Sequence, residues 1–484
     1  MERPIRWYDY ITVNIYWLAI TSLSQTMTPL VVPLLVQQFV GEELKGTYYG
    51  NLRLWTLMAA VLIQALMGML SDRSTLPLGR RRPFIIFGTL GLVAQLILVG
   101  FSANLEGMNG YWVLFGLVMV QMFFANTAHG ALQGLIPDLI PEEKRGRFSG
   151  VKAVLEVPLP VVIVSYTIAR LVADGNLWAG LFVLIGILVV SMLITLFVPE
   201  KRQSNRSPLD WNTLSRLLMM TAVFTVVILS MRWLVGSLDP LTAGMASVPL
   251  VVTMTLAGLA GMAISVLLGV WASLRVGLGD EIKQNRSFIW WVVNRLSFMI
   301  GAVNLASFAV YFLQGRFGYQ AETAAKPAAM LTMVVGVFIL ISAIPSGWLS
   351  DRFGRKPLLL VSGLLAAFGT LVIILAPTLT LVYVGGVSFG MATGLFYAVN
   401  WALGTDLVPK ERAGKFLGMS NVAGAGAGAI GAYIGGPIAD LITRRAPEFP
   451  GMGYTILFAI YMILFLVSVI TLKGIQEKHG QVSN

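Results

Sequence analysis

Of the 23 Asp and Glu residues, Glu156 is alone in falling well inside a long apolar run, Phe148 to Leu171. An ionisable group at such depth costs about 2.5 to 3.5 kcal/mol on insertion scales and is retained where it faces a polar path or a partner. Glu156 is therefore the candidate proton site. Lys152 sits one turn earlier, so the alternative is a structural i, i+4 ion pair at the helix mouth. Pro158 and Pro160 follow and are expected to bend this helix and free local carbonyls.

Amides, hydroxyls and one imidazole recur at helical spacing. Asn126, His129 and Gln133 share one face at i, i+3 and i+7, as do Thr393, Tyr397 and Asn400 at i, i+4 and i+7. Asn14, Thr21, Gln25 and Thr28 form a third stripe, and Ser297, Asn304 and Tyr311 a fourth. Such faces either bind a hydroxylated solute or hydrogen-bond neighbouring helices, where one bond is worth about 0.6 kcal/mol. His129 is either a proton relay or a neutral hydrogen-bond donor. Arg295, about two turns into its apolar run, suits an anionic group on a ligand or a counter-charge for Glu156. Arg53 and Arg232 lie nearer run ends, where snorkelling accounts for them. Phe396, Tyr397 and Trp401 offer rings for stacking on a sugar, or simply pack.

Much other chemistry is excluded. There is no cysteine, which removes disulfides, thiolate metal sites and Cys nucleophiles, and the two histidines are His129 and His479. Metal clusters and paired catalytic carboxylates are missing from the sequence, so neither an enzyme nor a cofactor is expected. Gly424, Gly426, Gly428, Gly431 and Gly435 superficially resemble a nucleotide loop, but no strand precedes them and small residues at this spacing suit close helix packing. No Gly-Lys-Ser/Thr loop supports ATP-driven pumping.

The elements that hold these groups follow from composition. Hydrophobic residues make up 56% of the chain and charged ones 12%, against roughly 25% charged in soluble domains. A helix is the open-ended way to satisfy backbone N–H and C=O groups in hydrocarbon, so each long apolar run reads as a spanning helix. The runs are Ile11 to Phe39, Tyr48 to Leu70, Phe84 to Ala103, Tyr111 to Leu135, Phe148 to Leu171 and Leu177 to Val198. Thr213 to Val235 and Val248 to Leu274 follow. The last six are Phe288 to Leu313, Ala328 to Leu349, Leu358 to Leu375, Leu379 to Leu403, Phe416 to Ile442 and Tyr454 to Leu472. The first run is too long for a signal-peptide core and reads as the first span.

Loop charge checks the count. Alternate loops carry Arg73 with Arg80, Arg81 and Arg82; Lys144, Arg145 and Arg147; Lys201, Arg202 and Arg206; Arg275, Lys283 and Arg286; Arg352, Arg355 and Lys356; and Lys410, Arg412 and Lys415. Opposite loops hold few cations, so both termini are expected in the cytoplasm of a multi-pass cell-membrane protein. That retention accounts for the +11 charge without nucleic acid as a partner.

An internal repeat sets the organisation. Gly68-Met69-Leu70-Ser71-Asp72-Arg73 with Gly79-Arg80-Arg81-Arg82-Pro83 recurs as Gly347-Trp348-Leu349-Ser350-Asp351-Arg352 with Gly354-Arg355-Lys356-Pro357. Pro137-Asp138-Leu139-Ile140-Pro141 through Phe148 recurs as Thr405-Asp406-Leu407-Val408-Pro409 through Phe416. Two six-helix repeats are expected, residues 1–200 and 288–484, joined by a linker, 201–287, that adds two helices.

The two Gly-x-Leu-Ser-Asp-Arg turns resemble the cytoplasmic motif of the major facilitator superfamily. Leu62-Ile63-Gln64, Gly68, Ser71-Asp72-Arg73 and Gly79 through Ile85 are further similar to the matching stretch of sucrose and other glycoside cation symporters. The resemblance implies an all-α membrane fold of two six-helix bundles, here with two central helices, about fourteen in all. It assigns Asp72, Arg73, Arg81, Asp351, Arg352 and Arg355 to gating, by acid–arginine pairing that holds the halves together on the cytoplasmic side and favours an outward-open state. Orientation alone is the other explanation for these arginines. In this family the four stripe-bearing helices surround the central site, which places Gln25, Asn126, His129, Gln133, Arg295, Asn304, Tyr397 and Asn400 around a substrate.

The implied activity is secondary transport of a small solute by alternating access, with a sugar or glycoside moved by proton symport through a monomer. A drug or metabolite efflux antiporter is the first alternative. A non-transporting assembly factor or receptor on the same scaffold is the second.

Overall fold

The computed structural model describes residues 5–200, 210–408 and 413–476; Lys201, Arg202, Arg206, Lys410, Arg412 and His479 lie outside the described residues. Among the described residues, fourteen helices are long and apolar enough to cross a membrane. They are α1 Asp9–Val40, α2 Lys45–Ser71, α3 Arg82–Ser102, α4 Gly107–Leu139, α5 Glu143–Ala173, α6 Leu177–Thr195 and α7 Trp211–Thr242. The remaining seven are α8 Ser247–Leu278, α9 Arg286–Ser307, α10 Thr323–Phe353, α11 Arg355–Leu375, α12 Leu379–Leu407, α13 Gly424–Arg445 and α14 Met452–Gly474. Among the described residues there is no strand. This is an all-α, multi-pass membrane protein, and exposed side chains such as Phe101, Phe182, Val226 and Phe368, each more than half accessible, face lipid rather than water.

Two helices begin before their apolar runs, that of α2 at Lys45 and that of α10 at Ala321, because backbone hydrogen bonding continues into the polar headgroup layer. Proline breaks the regular pattern twice. In α1 the segment Met27–Val31, which contains Pro29, widens into a π turn. In α5 the helix Glu142–Glu156 stops, Val157 adopts φ −119° and ψ −67°, and helix resumes at Pro158–Ile163 before a π turn at Val164–Ile168. Missing N–H groups and ring crowding shift the hydrogen-bond register at these points. The expected run Phe288 to Leu313 is also interrupted, at Phe308, after which a short helix, Ala309–Phe317, continues.

Two compact units emerge. One comprises Met1–Glu42, Trp55–Leu214 and Tyr319–Met333; the other Glu43–Leu54, Ser215–Gly318 and Val334–Asn484. The first turns of α2 thus belong with the C-terminal unit, and the first turns of α10 with the N-terminal one.

In the N-terminal unit, α1 is fastened by polar bonds. Asn14 Nδ2 donates to the Phe148 carbonyl at 3.2 Å, and Tyr16 Oη lies 2.6 Å from Thr89 Oγ1 of α3. In the C-terminal unit the two added helices pack on α13. A Cβ at Gly426 would come within 2.3 Å of the Phe224 ring of α7, and one at Gly258 of α8 within 2.6 Å of Ile438. The glycine-rich stretch is accordingly helix, with the space beside Gly426 taken by the Phe224 ring, that beside Gly431 by the Asn304 amide and that beside Gly435 by Leu457 and Met262.

Candidate functional site

In the N-terminal unit α1, α4 and α5 bring five polar or aromatic side chains together. Lys152 Nζ is 3.3 Å from Glu156 Oε2, and both side chains are about one-third accessible, at 28% and 33%. The same ammonium lies 3.8 Å from the centroid of Trp17. Trp17 meets His129 edge-on at 5.2 Å, and His129 Nε2 is 3.3 Å from Gln133 Nε2. Glu156 is the last residue before the break at Val157, so it closes a helix segment whose final carbonyls point in its direction. The i, i+4 pair predicted from spacing is therefore formed, and it sits beside the imidazole rather than apart from it. Asn126, by contrast, is 8% exposed and donates to Met122 in its own helix at 2.8 Å. Gln25 is half-buried on α1.

In the C-terminal unit Arg295, half-buried on α9, donates from Nη1 to Asn400 Oδ1 at 3.3 Å. Its guanidinium carbon lies 5.2 Å from the Trp401 ring and 5.8 Å from the Trp291 ring. Its Nε is buried and makes no hydrogen bond, and among the described residues no carboxylate pairs with it. Asn400 is occupied structurally: its Nδ2 donates to Asn294 Oδ1 at 2.9 Å, and Asn294 donates onward to Ser468 O at 2.7 Å. Asn304 is fully buried and donates to Ile300 O and Ala427 O, an interhelical bond of the packing kind. Tyr397 and Trp401 remain accessible, at 37% and 41%, whereas Phe396 is 1% exposed and stacked on Phe298 at 3.7 Å. Phe396 is thus a packing residue. Arg53 also departs from the snorkelling expectation, because it is 7% exposed.

The arginine-rich turns differ in their degree of closure. Arg81, on the first, donates from Nε and Nη2 to Asp138 Oδ2 at 3.0 and 2.9 Å and from Nη1 to Ser71 at 2.9 Å, and it pairs with Asp72. Arg80 also pairs with Asp138. Gly134 makes room for this clasp, since a Cβ there would lie 2.2 Å from Arg81 Nη2. Glu200, after α6, accepts from the backbone N–H of Arg81 at 2.7 Å and of Arg82 at 3.1 Å, an anionic cap on the start of α3. Burial pushes the Glu200 carboxyl above the ordinary range, against the opposing pull of those N–H groups and cations. On the second turn Arg355 pairs with Asp406 and donates to the Ala402 carbonyl. Asp351 and Arg352 are exposed there, Arg352 lying 5.6 Å from the Trp348 ring. One Arg73 nitrogen, Nη1, is buried without a hydrogen bond.

Asp138, Asp406 and Glu200 were not among the residues picked out from sequence. A signal existed for the first two, because the second repeated loop aligns Asp138 with Asp406, each the acid that its half's arginine reaches. Asp440 was also missed. It is 1% exposed on α13 and accepts from Gly46 N at 3.1 Å, Thr47 N at 2.6 Å, Thr47 Oγ1 at 2.8 Å and Tyr454 Oη at 2.9 Å. Beside it Lys45 donates to Gln314 and lies 4.8 Å from the Tyr311 ring. No short-range spacing announces this contact. Among the described residues, no cluster of three or more His, Asp or Glu side chains is placed to hold a metal ion.

Comparison with known proteins bears on the whole chain. The chain is 32% identical over 139 residues to the tetracycline resistance protein, class H, of Pasteurella multocida, covering 28% of this chain and 32% of that one. It is 24% identical over 184 residues to sucrose transport protein SUT5 of Oryza sativa subsp. indica, covering 32% and 34%. These matches span about a third of the length of the curated relatives. The crystal structure of a D-xylose-proton symporter superposes with a TM-score of 0.65 at 14% identity, covering 98% of this chain and 99% of that one, a likeness of fold. The sequence model of the Major Facilitator Superfamily matches residues 17–319 and 291–481. With that match running through both halves, and with the acid-and-arginine turn present in each, this chain belongs to the major facilitator superfamily.

Proposed function

We propose that the protein is a secondary active transporter that moves a sugar or glycoside together with a proton by alternating access. The observation that carries this reading is the Glu156–Lys152 pair beside Trp17, His129 and Gln133, a carboxylate next to hydrogen-bonding groups and an aromatic face. A proton arriving on Glu156 removes the charge that holds Lys152, and the released ammonium and the Gln133 amide then serve solute hydroxyls. Accessible Tyr397 and Trp401 offer stacking faces in the other unit, beside the Asn400-bonded Arg295. In this reading residues 1–200 and 288–484 are the rocking bundles, the linker 201–287 adds helices to the second, and the acid-and-arginine turns gate the cytoplasmic side. The protein works as a monomer in the cell membrane, with both termini cytoplasmic.

Similarity to a sucrose transport protein supports a sugar; similarity to a tetracycline resistance protein supports efflux of a drug or metabolite as a second reading. Proteoliposomes with an imposed pH gradient separate them. Labelled sucrose or glycosides should accumulate, and Glu156→Gln should abolish accumulation while sparing exchange at equal concentrations. Concentration of solute by the Glu156→Gln protein, or dye extrusion independent of sugar, would overturn the sugar–proton reading.

A further inference from the structure

The two added helices build a groove that the transport reading does not use. Within the C-terminal unit, α7, the start of α2 and α13 enclose a cavity of about 620 Å³ whose wall includes Arg232, Tyr433, Tyr48, Asn51 and Trp233. Arg232 lies one turn before the end of the continuous helix Trp211–Gly236. That helix rises about 39 Å from the side of the arginine-rich turns, which puts Arg232 at headgroup depth in the opposite leaflet. Its guanidinium folds over Gly236, where a Cβ would come within 2.7 Å of Nη1. It makes no hydrogen bond or ion pair with any described residue.

The nearby acids are already occupied. Asp239 pairs with Arg445, and Asp440 accepts from Gly46, Thr47 and Tyr454. These two carboxylates and Tyr433 act on Arg232 only through space. The planar donor fork is left facing the groove, in a form suited to two oxygens of one phosphate.

What surrounds the fork selects a lipid. A shallow apolar depression of about 410 Å³, lined by Leu229, Ser230, Trp233 and Leu234, adjoins the groove and shares Leu229 and Trp233 with it. Trp233 is 71% exposed and Leu234 47%, so this depression opens to the surface that meets acyl chains. An occupant with a negative head and an apolar tail satisfies both parts, and a tryptophan at the junction is the residue expected at headgroup level. We propose that the groove is a binding site for one anionic phospholipid, its phosphate on Arg232 and one acyl chain along Leu229 and Leu234. Thr47, which lines the groove, also binds Asp440, so the lipid touches the segment that fastens α2 to α13.

The chain has no native cysteine, so Leu241→Cys, at an exposed position near the groove, accepts a single fluorophore. In nanodiscs, headgroup-proximal doxyl-labelled phosphatidylglycerol should quench it at about one-fifth the mole fraction needed for labelled phosphatidylcholine. Arg232→Gln should erase the preference, Arg232→Lys should keep only a minor part of it because an ammonium keeps the charge but lacks the two-pronged fork, and Gly236→Leu, which fills the cradle without changing charge, should erase it too. Each variant is first checked for a single size-exclusion peak and a parental melting temperature. Equal quenching by the two lipids in the parent, or a preference that survives in whichever of Arg232→Gln and Gly236→Leu folds, overturns the site. Loss of the preference on adding inorganic phosphate at about 10 mM, below ionic strengths that screen such contacts, assigns the groove to a free anion and overturns the lipid.

Discussion

Replacing Asp138 with Asn should loosen the first arginine-rich turn far more than the matching Asp406→Asn change loosens the second. The Arg81 side chain is 6% exposed, and Asp138 Oδ2 accepts from its Nε at 3.0 Å and its Nη2 at 2.9 Å. Hydrogen bonds to charged groups contribute about 1.5 to 3 kcal/mol each, and an Asn oxygen keeps part of that while losing the charge. Asp72 and Ser71 still hold the other guanidinium nitrogens, which limits the net loss to about 2 to 3 kcal/mol. The open turn should then become about 30 to 150 times more populated. Asp406 is 56% exposed against Arg355 at 24%, so its pair is worth about 0 to 1 kcal/mol and its loss less than about fivefold. Ser74→Cys, at a position 9% exposed just after Arg73, reports opening through its maleimide reaction rate in this cysteine-free chain. If Asp138→Asn changes that rate by less than about twofold, or Asp406→Asn changes labelling of a matching cysteine on its own turn equally, the clasp is not closed by Asp138.

Other consequences follow from the same contacts. Glu200 has a folded-state pKa raised by burial, so its proton-linked stabilisation is full below the ordinary carboxylate range and lost as pH rises through the folded value. The melting temperature of the parent should therefore fall relative to that of Glu200→Gln as pH rises from about 4; a parent that gains on Glu200→Gln with rising pH refutes the assignment. Asp440→Ala strands the buried donors of Gly46, Thr47 and Tyr454 and should cost about 3 to 5 kcal/mol, read as a large fall in melting temperature in detergent. Gly426→Val forces a side chain into the Phe224 ring and should cost about 1 to 3 kcal/mol, most of it recovered in the Gly426→Val/Phe224→Ala double variant; additive losses would show that the two do not touch.

The number and order of the spanning helices were legible in the chain because backbone satisfaction in lipid is a local requirement, met within each apolar run. The close pairs were legible for the same reason: Lys152 and Glu156 stand one turn apart on one helix, and helical geometry alone brings them to 3.3 Å. Helix interruptions were half-legible. Pro158 marks the break at Val157, but nothing in Phe308 marks the stop after Ser307, which depends on packing.

The partners of the arginine-rich turns were not legible from spacing. Asp138 is 57 residues from Arg81 and reaches it because the ends of α3 and α4 converge, with Gly134 small enough to admit the guanidinium. Asp440 and Thr47 are 393 residues apart. Stripes of amides mislead for a related reason, since a polar residue on a helix serves a packed neighbour as readily as a cavity: Asn304 donates to Ala427, while Gln133 remains accessible beside His129. Local hydropathy and loop charge determine which segments cross the membrane and which turns are duplicated; which side chains meet across helices is decided by close approach between segments distant in the chain, and only the folded structure contains that information.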